Sequence, residues 1–191
     1  MICGLGVPGT RTAWSAIGLD FVGNTTQVGQ VQLSFEAEML TWELVGDGPD
    51  HIDGVPTTWR AAAPAPLEVT HRFGYIQIDH VVVFTDDLLR TCGAISDATG
   101  APLKRIREAG GGRQQGFHRL GEVIAEVVGP VEQPTHLWGF VLTVDNLDVV
   151  VQSLGPGLIG ESKPAVQPGR RIASFRSSAG LGCAVALLSV P

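Results

Sequence analysis

The chain has 191 residues, with Lys+Arg 13 against Asp+Glu 19 and a formal net charge of −6. An acidic balance lacks the basic footprint that gives nucleic-acid binders their phosphate affinity, and no run reaches the roughly 18 apolar residues of a membrane span. Hydrophobic residues at 44% suffice for a packed core and exclude global disorder, while 25 glycines and 12 prolines point to many turns and few long helices.

Met1 to Gly9 lacks the charged start and apolar stretch of a signal peptide. Cys3, Cys92 and Cys183 are an odd set without a CxxC pair, which suits a reducing, cytoplasmic setting. Gly4-Leu-Gly6-Val-Pro-Gly9 satisfies GxGxxG by letter, but no strand precedes it and Pro8 stands where a helix should begin, so it is set aside as a dinucleotide loop. Trp14 to Val22 reads as an irregular strand. Val31, Leu33 and Phe35 alternate in a second strand, and Leu40, Trp42 and Leu44 in a third. From Gly46 to Val69 the Asp, Gly, Pro and Ala clusters read as turns and a connector. Residues 1–74 are thus a β-rich extension with a linker.

From Tyr75 the pattern changes. Ile76, Ile78, His80, Val82 and Phe84 share one face of an extended segment and Val81 and Val83 the other, as in a central strand buried on both sides. Asp86-Asp87 precedes a helical stripe of Leu88, Cys92 and Ile95 that Gly100 closes. Strands are expected at Leu103 to Arg107, Arg113 to Leu120 and Glu122 to Val128, which gives βαβββ for module one, residues 75–130.

The same order recurs in module two, residues 137–191. Phe140-Val-Leu-Thr-Val-Asp-Asn-Leu147 echoes Val81-Val-Val-Phe-Thr-Asp-Asp-Leu88 at an offset of about 59 residues. Gly169-Arg170 echoes Gly112-Arg113 at about 57. Offsets this close indicate an internal duplication with a small loop indel. The fold class read from the chain is α+β.

Paired βαβββ units, with His80 in Ile78-Asp-His-Val-Val-Val-Phe-Thr-Asp-Asp-Leu88 and Glu126 in the closing Glu-Val-Val-Gly-Pro130 strand, resemble the vicinal oxygen chelate (VOC) superfamily. The likeness covers about 115 residues and is similar, more narrowly, to glyoxalase-like and bleomycin-resistance-like proteins. It implies paired modules forming a half-open, mixed-sheet cup that holds a small ligand, often with a divalent metal (Zn, Fe, Mn or Ni), and a homodimer. Of the four metal positions it implies, His80 and Glu126 have ligating side chains. Gly139, matching His80, and Ala186 or Leu187, matching Glu126, have none.

His80 and Glu126 are therefore the candidate catalytic pair and a partial metal site at two of four positions; no cofactor is assigned with certainty. His118 is the candidate third donor, and His136 a further one only if a bulge re-aims it. Gln115 and His118 on the third strand, Arg171 among the cluster Arg170, Arg171 and Arg176, and Trp138 are assigned to ligand binding. An arginine there clamps a carboxylate or phosphate, and tryptophan supplies a stacking wall. The functional expectation is a small polar or anionic organic ligand, with lyase or isomerase chemistry. A non-catalytic, antibiotic-type binding protein without a complete metal site stands as the alternative.

Overall fold

A computed structural model describes residues 1–35 and 37–190; Pro191, the last residue assigned to module two, lies outside them. The N-terminal part comprises β1 (Ile2–Val7), α1 (Arg11–Ala16), β2 (Thr25–Val28), β3 (Val31–Phe35), β4 (Thr41–Val45), β5 (His51–Ile52) and β6 (Val55–Arg60), with sheet order β2-β3-β1-β4-β6-β5. Trp14 to Val22 is not a strand. Thr10 caps a helix there by accepting from the Ala13 N–H, and Trp14 turns inward from it, fully buried. A buried aromatic of this size contributes about 1.5–3 kcal/mol, which outweighs any local preference for an extended chain.

Residues 46–69 are likewise more than a connector, because β5 and β6 extend the sheet. Pro56 and the turn at Asp53-Gly54 hide the alternation of Val55, Thr57 and Trp59, yet Thr57 receives a 2.7 Å hydrogen bond from the Trp42 indole. Gly4 and Gly6 lie inside β1 rather than after a strand. The side chains of Glu43 and Thr41 occupy the space where their Cβ atoms would stand, so the glycines permit strand contact and cradle no phosphate.

The remainder folds as β7 (Tyr75–Phe84), α2 (Leu88–Thr99), β8 (Arg105–Gly110), β9 (Arg113–Leu120) and β10 (Val123–Gly129), then β11 (His136–Val144), α3 (Leu147–Leu154), β12 (Lys163–Pro164), β13 (Arg171–Ser174) and β14 (Ala184–Ser189). The second strand of module one is Arg105–Gly110, two residues later than its sequence pattern, although the Lys104 N–H already bonds to the Phe117 carbonyl of the neighbouring strand. Asp87 and Asn146 stand at matching places in the two echoes, and each caps its helix through the N–H three residues on.

These strands form one curled sheet of order β12-β13-β14-β11-β7-β10-β9-β8. The order reads the same from the centre outwards: β10 is parallel to β7 as β14 is to β11, and the two halves join through antiparallel β7 and β11. His80 pairs with Val141 and Val82 with Gly139, so a pseudo-twofold axis passes by the Val81–Phe140 pair.

The convex face of this sheet is covered by α2, by α3 and by the N-terminal sheet between them. Trp14 stacks on Phe140 with centroids 5.9 Å apart, and side chains of both sheets belong to one continuous core. The concave face is left open.

Candidate functional site

Parallel pairing sets Glu126 of β10 beside Val82 of β7, and His80, two positions along, shares that face. A bulge adds a third group. Val141 pairs with His80 but Leu142 with Ile78, so Asp79 is the extra residue, and the kink turns it into the same concavity that strict alternation would deny it.

His80 Nε2 lies 3.6 Å from Glu126 Oε2 and Nδ1 lies 2.8 Å from Asp79 Oδ2. Asp79 Oδ1 accepts from Arg170 Nη1 at 2.8 Å, and Arg170 also donates to the Ser189 carbonyl at 2.7 Å and to Gln167 Oε1 at 2.6 Å. On the other side Gln115 donates to Glu126 Oε1, and Arg107 donates to Gln115 Oε1. Polar contacts thus run unbroken across the cup from Ser189 to Arg107.

Burial pushes the Asp79 carboxyl upward, but hydrogen bonds from His80 and Arg170 outweigh it and hold it below the ordinary value of 3.8. An ionised Asp79 can only accept, so Nδ1 carries a proton and Nε2 is the ring nitrogen turned toward Glu126.

The concavity has two lobes that share His80, Gln115, Glu126 and Ile172. One, of about 190 Å³, is the more polar of the two and adds Arg105, Arg107, Asp79 and Gln167 beside apolar residues such as Phe117 and Ile124. The other, of about 500 Å³, is walled by Val82, Phe84, Val128, Trp138, Val141 and Phe175. The imidazole and the carboxylate stand where the lobes meet.

Gln115 and Trp138 both face the cup, the latter at a bulge in β11 and stacked on Phe84 with centroids 4.7 Å apart. His118 does not. Gln115 and Phe117 take the concave face of β9, so alternation drives His118 to the convex side, where it is fully buried with Nδ1 3.0 Å from the Ala101 carbonyl. Burial lowers its pKa from 6.5, and Nε2 has no hydrogen-bond partner among the described residues.

Arg171 also points away, to Ser162 and Asp148 on the outside, while its neighbour Arg170 reaches inward. His136 packs edge-on against Phe84 at the rim. Asp79, Arg105 and Arg107 were missed. The adjacent acid and imidazole in an apolar strand, and the one-residue spacing of the arginines, were the available signals.

A four-donor metal chelate does not fit these residues. Among the described residues no group of three or more His, Cys, Asp or Glu side chains is placed to hold a metal ion. Pairing makes Ala186, rather than Leu187, the twin of Glu126. At Gly139, the twin of His80, a Cβ would stand 2.1 Å from the Ala184 carbonyl oxygen, so the backbone there leaves no room for a ligating side chain.

No family model and no curated protein matches the chain in sequence. Solved structures do match in shape. A methylmalonyl-CoA epimerase from Mycobacterium tuberculosis has TM-score 0.52 at 15% identity, over 61% of this chain and 90% of that one. A variant methylmalonyl-CoA epimerase from Streptomyces coelicolor, in complex with 2-nitronate-propionyl-CoA, gives 0.52 at 12% identity, over 61% and 98%. The hypothetical protein BH1468 from Bacillus halodurans gives 0.52 at 15%, over 60% and 94%. The curled sheet shares its fold with these structures. At these identities the likeness carries the fold and not the chemistry.

Proposed function

We propose that the cup binds a small polar or anionic organic molecule and that His80 and Glu126 transfer a proton on it, as an isomerase or lyase does. The observation that carries this reading is the meeting of His80 Nε2 and Glu126 Oε2 at 3.6 Å between the more polar lobe and the more apolar one. A carbon acid bound over the pair meets both groups from the same face: one takes a proton from carbon, holds it, and returns it there or to a neighbouring atom. Asp79, itself held by Arg170, fixes the ring. Epimerisation, the activity in the neighbours' names, is chemistry of this kind.

In this reading residues 75–190 carry the ligand site and the N-terminal sheet is a buttress on the convex face. The three free thiols, Cys3, Cys92 and Cys183, accord with a cytoplasmic protein. Among the described residues no helix is long and apolar enough to cross a membrane.

A fragment panel of neutral and anionic organic molecules, screened by calorimetry, tests binding. Proton exchange into each bound compound from D2O, followed by NMR, tests chemistry. Exchange is expected in the wild type and is lost in His80→Ala and Glu126→Gln. Exchange that survives both substitutions refutes the assignment. Binding without exchange favours the second reading, a non-catalytic binding protein, for which the side-chain-poor twin positions Gly139 and Ala186 are the supporting observation.

A further inference from the structure

Arg105 and Arg107 alternate with Ile106 on β8, an edge strand, and so share the cup face. Register puts Arg105 opposite Phe117 and Arg107 opposite Gln115. Both guanidinium groups lie over the Phe117 ring, with Cζ 4.7 Å and 5.1 Å from its centroid. Arg107 is further held by its donation to Gln115, whose amide in turn donates to Glu126.

Neither arginine has a carboxylate within ion-pair reach among the described residues. Arg60, Arg90, Arg170 and Arg171 each have one, and five other arginines also lack one, but among the described residues only Arg105 and Arg107 share a single aromatic ring and line the cup. Two like charges gathered on one ring repel, and that repulsion is relieved by an anion between them. The charge balance also indicates the anion's valence. On formal charges, with histidine counted as neutral, Asp79 and Arg170 cancel each other and Glu126 offsets one of the two remaining cations, which leaves the more polar lobe one positive charge in excess. A monoanion neutralises it, whereas a dianion overshoots. Among the described residues the adjoining lobe has no ionisable side chain beyond the shared His80 and Glu126, and Phe84, Trp138 and Phe175 give it aromatic walls.

We infer that the ligand is an apolar-tailed monocarboxylate, its carboxylate held by Arg105 and Arg107 and its hydrocarbon end packed against Trp138, Phe84 and Phe175. This rests on the cup being the binding site proposed above. It adds the chemical class of the ligand and its direction in the cup, with the atoms joining head to tail presented to His80 and Glu126.

Titration calorimetry of the full chain with four probes tests the inference: 2-naphthylacetate, its neutral amide, 2-naphthyl phosphate and acetate. The expected order is naphthylacetate tightest, by about tenfold or more over the amide, since a charge-assisted hydrogen bond is worth at least that factor. The phosphate is expected to bind more weakly than the carboxylate, and acetate hardly at all. Arg105→Met/Arg107→Met is expected to keep its affinity for the amide and lose the preference for the acid. Should that variant fail to fold, Arg105→Gln, at an exposed position on the edge strand, is expected to narrow the preference.

Equal binding of acid and amide, or an acid preference that survives both arginine variants, overturns the clamp and leaves the binding cup standing. Tighter binding of the phosphate overturns the monoanion. Failure of all three naphthyl probes to bind overturns the cup reading together with the inference.

Discussion

Replacing Asp79 by alanine strands a cation. The Asp79 and Arg170 side chains are only 9% and 10% exposed, and breaking a buried pair by removing one partner costs about 3–5 kcal/mol. Two features put this pair near the lower end. Arg170 keeps its bonds to the Ser189 carbonyl and Gln167, and Asp79 borders a concavity that water can enter. A loss of about 3 kcal/mol lowers the Tm by about 6–12 °C in a chain of this size. Arg170→Met added to Asp79→Ala removes the stranded charge, so the double variant is expected to be more stable than the sum of the two single losses predicts.

The assay is urea unfolding of the wild type, both single variants and the double variant, followed by circular dichroism. A cycle that closes to within about 0.5 kcal/mol shows the two residues to be uncoupled and refutes the reasoning. The pH dependence gives a second check. The folded pKa of Asp79 lies below 3.8, so the unfolded chain takes up the proton first as the pH falls. The carboxylate's contribution is therefore complete above about pH 5, shrinks as the pH passes the ordinary carboxylate value, and is gone below the folded one. The penalty of Asp79→Ala is expected to diminish between about pH 5 and about pH 3.

Gly139→Ala is expected to cost about 2–3 kcal/mol, because its Cβ meets the Ala184 carbonyl oxygen at 2.1 Å and a neighbouring strand must move. Thermal denaturation beside Gly93→Ala, a helical position with nothing within 4 Å of the added methyl, separates this clash from a generic glycine effect; equal Tm values for the two would discredit it. Burial lowers the folded pKa of His118 from 6.5, so between the two values the unfolded state binds more protons and stability falls with falling pH. His118→Leu is expected to flatten that slope in urea titrations between about pH 7 and about pH 5, and parallel curves for variant and wild type would contradict the assignment.

Local pattern sufficed for whatever repeats or alternates along the chain. The echo of Val81–Leu88 in Phe140–Leu147 and the helix caps at Asp87 and Asn146 are features of consecutive residues. The pairing of His80 with Glu126 came instead from the family resemblance, which implies polar groups on the first and last strands of a module. For the N-terminal part, the alternating strands β3 and β4 were legible and helix α1 was not. Six residues bear too little periodicity, and what selects the helix is the seat of Trp14 against Phe140, far along the chain.

Which side chains enter the cup was decided only when strands paired. A single bulge admits Asp79, and one residue of parity separates inward Arg170 from outward Arg171 and cup-facing Phe117 from buried His118. Face is a property of register, and register is fixed by hydrogen bonds to a neighbouring strand and by what each face must bury. A strand's own residues state that two faces exist; the partner strand and the layer packed behind it determine which one looks into the cup.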